Sequence, residues 1–151
     1  RLARKFETAR NWLPEPVVEI NRKAKIGIIA FGTTHWAIIE SRDQLREETD
    51  VQTSYYRVCA YPFRTGLASF VERHDRVYVV EQNRDAQMFS LIKLDLSTKL
   101  TSRLRSIRDY SGLPIDARTI TDSLLIQEGY QAQKAEAESS RVPRNAGVGA
   151  E

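Results

Sequence analysis

Glu81, Gln82 and Asn83 follow directly on the apolar run Val77-Tyr78-Val79-Val80. An acid and two amides at the end of a buried strand bring hydrogen-bonding groups to one rim of a sheet, where α/β proteins assemble ligand sites and subunit contacts. Two readings of Glu81 and Asn83 stay open. Either they face a ligand or a partner across that rim, or they cap nearby backbone and fix the turn. A second constellation is Gly32-Thr33-Thr34, again after an apolar run. At a helix N-terminus these residues can hold an anion, although ordinary capping by Thr33 or Thr34 uses the same groups. Tyr61-Pro62-Phe63 ends a third apolar run and belongs to the same rim. His35 and His74 stand far apart, with no Cys or carboxylate cluster around either, and make a poor metal pair. Neither a Ser-His-Asp arrangement nor a spaced carboxylate pair can be assembled.

Three such loops need a sheet with its strands side by side, and the chain supplies one. Lys25 to Phe31 is Ile-rich, nearly uninterrupted and too short for a helix, so it reads as a strand buried on both faces. A helix follows to about Glu47, with Trp36, Ile38, Ile39 and Leu45 as its apolar residues. Thr53 to Ala60 is the next strand, stopped by Pro62. Leu67, Phe70 and Val71 mark the helix after it. Arg76 to Val80 is the third strand, followed by a helix with Asp85 as its cap and Met88, Leu91 and Ile92 on its inner face. Leu104 to Ile107, flanked by Arg103, Arg105 and Arg108, reads as an edge strand. Asp116 caps a last helix carrying Ile120 and Leu124. This alternation predicts a three-layer α/β/α fold with a mostly parallel or mixed sheet of four or five strands. Before it, Leu2, Phe6, Ala9 and Leu13 form one apolar stripe on a lead-in helix that Pro14 and Pro16 stop. The expected organisation is a lead-in helix and linker over 1–24, the α/β domain over 25–130 and a mobile tail over 131–151.

At 151 residues the chain has the length of one domain. A net charge of only +3, with Lys and Arg dispersed among Asp and Glu, argues against nucleic acid as a partner. Cys59 is the single cysteine, which excludes an internal disulfide and a local iron–sulfur site. No apolar stretch approaches the length of a membrane span and no signal peptide is recognisable, so the expected location is cytoplasmic. The chain begins with Arg1 rather than Met and is expected to be a piece of something longer.

Four segments in order carry a family resemblance: Lys25-Ile-Gly-Ile-Ile-Ala-Phe-Gly-Thr-Thr34, Tyr56-Arg-Val-Cys-Ala-Tyr-Pro-Phe63, His74-Asp-Arg-Val-Tyr-Val-Val-Glu-Gln-Asn-Arg-Asp85 and Tyr110-Ser-Gly-Leu-Pro-Ile115. With Gln87 after the third, residues 1 to about 128 resemble the domain that follows the pyrimidine-binding domain in the α subunit of the 2-oxoacid:ferredoxin oxidoreductases. The family pattern has Gly where this chain has Ala86. The resemblance implies a fold like the transketolase C-terminal domain, with a five-stranded mixed sheet. It implies a parent enzyme that oxidatively decarboxylates a 2-oxoacid, 2-oxoglutarate by first choice, to an acyl-coenzyme A and reduces ferredoxin. Thiamine diphosphate with magnesium and the iron–sulfur cluster would be held elsewhere in that complex, and this segment would bind none of them. The implied partners are the β subunit and the upstream pyrimidine-binding domain, with ferredoxin and coenzyme A reached through the complex. The candidate rim and interface residues are Gly32, Thr33, Thr34, Tyr61, Phe63, Glu81, Asn83 and Gln87. A self-standing doubly wound interaction or mononucleotide-binding module is the rival.

Overall fold

The computed structural model describes residues 2–130, the side chain of Ala3 apart; the tail expected over 131–151 lies outside the described residues. After helix α1 (Leu2–Arg10) come β1 (Val17–Glu19), β2 (Ile26–Phe31), a 3₁₀ turn (Gly32–Thr34), α2 (His35–Thr49) and β3 (Thr53–Val58). Then follow α3 (Gly66–Glu72), β4 (Arg76–Glu81), α4 (Gln87–Asp95), the short α5 (Thr98–Thr101), β5 (Leu104–Arg108) and α6 (Ala117–Gln127). The five strands form one sheet in the order β1-β3-β2-β4-β5. β2, β3, β4 and β5 run parallel, and β1 pairs antiparallel with β3. The sheet is therefore mixed.

β2 is buried along nearly its whole length because each of its faces meets a helical layer. Ile26, Ile28 and Ala30 pack with Tyr55, Tyr78 and Val80 beneath α2 and α6, which contribute Ile38, Leu45, Ile120 and Leu124. Ile29 packs with Tyr56, Val58, Val77 and Val79 beneath α3 and α4, which contribute Leu67, Phe70, Val71 and Ile92. Each fully buried Ile, Leu or Val stabilises the fold by roughly 1.5–3 kcal/mol. Gly27 faces the same layer as Ile29, where a Cβ would stand 2.8 Å from the Phe70 ring and 3.1 Å from His74 Nδ1. His74 is itself buried, donating from Nδ1 to the Phe70 carbonyl at 2.7 Å. Burial holds its imidazole below the ordinary range.

The crossovers reverse direction. β2 passes through α2 to β3 on one side, whereas β3 passes through α3 back across β2 to β4. Right-handed crossovers in opposite directions place α2 and α3 on opposite faces of the sheet. α6 returns to lie beside α2, where Ser41 and Thr121 share a hydrogen bond of 2.9 Å in place of bulkier side chains. Its start is capped as expected: Asp116 accepts from the Thr119 N–H at 2.7 Å, and that bond holds the carboxyl below its usual range.

Two expectations need correction, on the linker and on the cap of α2, and two apolar features prove exposed. The linker before residue 25 contains β1, an edge strand of the sheet. The apolar stripe of α1 is not covered, for Leu2 and Phe6 are exposed. Trp36 is exposed, for it lies two positions from buried Ile38, roughly 200° around the helix. Neither Thr33 nor Thr34 caps α2 through its side chain.

Candidate functional site at the carboxyl rim

β2 and β4 are neighbours, yet the chain leaves β2 for α2 on one face and β4 for α4 on the other. Loops that part in this way open a crevice at the carboxyl ends of the two strands, the position where doubly wound sheets take ligands. Here the crevice is open, has a volume of about 420 Å³, and is lined by Thr33, Gln82, Asp109, Tyr110, Gly112, Leu113 and Pro114. That lining carries one carboxylate and no basic side chain, a poor match for a nucleotide phosphate.

Gln82 ties the floor together. Its Nε2 donates to Thr34 Oγ1 at 3.0 Å, and its Oε1 accepts from the Ile115 N–H at 3.1 Å. This joins the turn after β2 to the loop after β5. Gly32 permits that turn, having φ +60° with nothing near a would-be Cβ, and leaves Thr33 exposed beside buried Thr34. His35, the first residue of α2, lies 3.4 Å from the hydroxyl of Tyr55, whose phenol is pushed up to about 12 by burial and so stays protonated.

Glu81 is fully buried, and its carboxylate is spent inside the fold. It accepts from the N–H groups of Met88 at 2.8 Å and Phe89 at 3.1 Å, and from Asn83 Nδ2 at 2.6 Å. Asn83 Oδ1 in turn accepts from the N–H groups of Asp85 and Gln87, each at 3.2 Å. Three of the four free N–H groups at the start of α4 are thus satisfied from the end of β4, with a negative charge at the positive end of the helix. Asp85, expected to cap this helix, instead meets Arg84 at 2.8 Å. Ala86 holds the N-cap position at φ 52°, ψ 51°, so the placement of Ala86 within the first turn of a helix is corrected to the left-handed geometry that the family's glycine suggests.

An L residue in that conformation costs about 1–2 kcal/mol, and glycine there is nearly free of it. Against the greater freedom of glycine in the unfolded chain, Ala86→Gly should stabilise the domain by about 0.5–1 kcal/mol. Denaturant midpoints of the two proteins check this. A lower midpoint for the glycine variant would contradict the left-handed turn.

The remaining rim residues divide by exposure. Phe63 is core, packed with Leu67 and Phe70. Tyr61 meets it edge-on at 5.2 Å and is itself 51% exposed. Gln87 is exposed at the start of α4. Three further residues reach the surface near the same rim: Trp36 at 74%, Tyr110 at 65% and Leu113 at 74% exposure. Sequence reasoning missed all three as site candidates. The only signals were large apolar side chains just after the β2 and β5 segments. Exposed aromatic and Leu side chains beside a crevice form the kind of surface that a protein partner covers. Among the described residues no group of three or more His, Cys, Asp and Glu stands where it would hold a metal ion, and no helix is long and apolar enough to cross a membrane.

No protein-family model matches the chain. Over 117 residues, 74% of its length, it is 30% identical to the α subunit of 2-oxoacid:ferredoxin oxidoreductase 2 of Aeropyrum pernix, of which it spans 18%. Its fold matches a 2-oxoglutarate:ferredoxin oxidoreductase of Magnetococcus marinus, solved with 2-oxoglutarate, coenzyme A and succinyl-CoA bound. The TM-score is 0.67 at 20% identity, over 78% of this chain and 20% of that one. A split-gene transketolase, in an inactive β4 tetramer, matches with a TM-score of 0.53 at 14% identity, over 72% of this chain and 39% of that one. The chain is a transketolase-like α/β domain with a mixed five-stranded sheet. It is homologous to a segment of the α subunit of the 2-oxoacid:ferredoxin oxidoreductases.

Proposed function

We propose that this chain serves as the transketolase-C-terminal-like segment of such an α subunit, supporting assembly and shaping the surroundings of an active site built elsewhere. The observation that carries this reading is the carboxyl rim, where an acid-bearing crevice lies among exposed Trp36, Tyr61, Tyr110 and Leu113. The partner on that surface is the β subunit, with the upstream pyrimidine-binding domain on the same polypeptide. Gly32, Thr33, Thr34, Tyr61, Glu81, Asn83 and Gln87 contribute by shaping the rim, and Phe63 by anchoring Tyr61 from within the core. The parent enzyme converts a 2-oxoacid and coenzyme A to an acyl-coenzyme A with ferredoxin as acceptor, in the cytoplasm. The motif set favours 2-oxoglutarate over pyruvate and branched-chain 2-oxoacids.

Thiamine diphosphate with magnesium, and an iron–sulfur cluster, belong to the parent complex in this reading. The residues here do not fit either group. Cys59 supplies one thiol where a cluster needs several, and the crevice lining has no basic side chain to meet a diphosphate. The experiment is an assay of 2-oxoacid- and coenzyme-A-dependent reduction of a viologen dye by the 151-residue chain alone. No turnover above the enzyme-free blank is expected. Turnover would mean that the chain carries a complete active site and would sink the proposal.

A further inference from the structure

The two edges of the sheet are finished differently. At β5, Arg105 Nη1 donates to the Ser102 and Leu104 carbonyls at 2.9 and 2.8 Å, and Gln127 Nε2 donates to the Ser106 carbonyl at 3.2 Å. Charge and side-chain bonding close that edge to another strand. At β1 the outer side is open. Val17, Val18 and Ile20 are all exposed, and among the described residues no side chain bonds the main chain of Val17–Glu19. The two carboxylates beside this edge each meet an arginine of the same chain, Glu19 with Arg42 at 2.6 Å and Glu15 with Arg64. An apolar, unpaired edge is built for strand addition.

We propose that the occupant is a second copy of this chain, its β1 pairing antiparallel across a two-fold axis at Val18 to give a continuous ten-stranded sheet. The sequence of the edge selects this register. Centred on Val17, the pairing would set Glu15 opposite Glu19; centred on Glu19, it would set Glu19 opposite itself. Like charges directly opposite each other destabilise a strand pair. Centred on Val18, Glu19 faces Val17 and Glu15 faces Asn21. One face then carries Pro16 against Ile20, Val18 against Val18 and Ile20 against Pro16, a self-complementary apolar ribbon. The groove beside β1 adds surface of balanced charge, with Arg42 and Arg46 set among Glu19 and Asp43. This dimer is independent of the carboxyl rim, so its failure would leave the proposed function standing.

Sedimentation equilibrium of the 151-residue chain from micromolar to millimolar concentration tests it. A reversible monomer–dimer equilibrium is expected, and Val18→Lys, which sets two ammonium groups opposite each other, should weaken it at least about tenfold. In a Cys59→Ser background, Val18→Cys should form an interchain disulfide under mild oxidation, and Ile20→Cys, facing Pro16, should not. A monomer throughout the range would overturn the proposal. So would a dimer that ignores Val18→Lys, which would use another surface, or equal cross-linking at positions 18 and 20.

Discussion

Replacing Glu81 by Ala should destabilise the domain by about 3 kcal/mol, because two backbone N–H groups and the Asn83 amide lose their acceptor in a site shut off from water. Each stranded donor costs roughly 1–3 kcal/mol, less whatever relaxation recovers. That is a large part of the 5–15 kcal/mol available to a typical domain. Glu81→Gln keeps one acceptor oxygen and should cost less, and Asn83→Ala should fall between the two, since it frees the N–H groups of Asp85 and Gln87 and removes one of the three donors to Glu81 but leaves the Met88 and Phe89 bonds in place. Urea denaturation of the chain gives all three values. An effect below about 1 kcal/mol for Glu81→Ala would mean that its carboxylate is not the cap of α4 and is available for work at the rim.

This bears on how the rim divides its labour. Glu81 and Asn83 act inward, holding α4 against β4, and Gln82 holds the β2 and β5 loops together. The outward surface is left to Trp36, Tyr61, Tyr110 and Leu113. Of the two readings of Glu81 and Asn83, the hydrogen bonds favour turn-fixing, and the proposed partner surface rests on their exposed neighbours.

The central strands were legible because burial on both faces forces a continuous apolar run, as in Ile26–Phe31 and Arg76–Glu81. The arginines around Leu104 correctly marked an edge. β1 was invisible for the opposite reason: three exposed residues between Pro16 and Ile20 have no buried face and hence no period, and pairing with β3 alone makes them a strand. Trp36 was grouped with the apolar residues of its helix by residue type, and its angle from Ile38 turns it to solvent. The cap of α4 was misread because capping rules look within a few residues of the helix start. The carboxylate that caps it arrives from a strand five positions before the N-cap, and Ala86 at the N-cap is left-handed. Only the family's glycine at that position signalled the turn.

The second large effect is expected at the exposed rim. Leu113→Asp sets a charge beside Asp109 on a surface that a partner would dehydrate, and Tyr110→Ser removes an aromatic anchor from the same crevice. Because both side chains are exposed, each variant should leave the stability of the domain within about 0.5 kcal/mol of the parent. In the complete α subunit, co-expressed with its β subunit, the double variant should lower assembly or 2-oxoacid oxidation by more than about tenfold, or 1.4 kcal/mol. The measurement is the yield of αβ complex on size exclusion together with its coenzyme-A-dependent reduction of ferredoxin. The account predicts that the double variant loses complex or turnover while its own unfolding midpoint is unchanged; full assembly and full turnover would show that this rim faces solvent in the enzyme and would contradict the account.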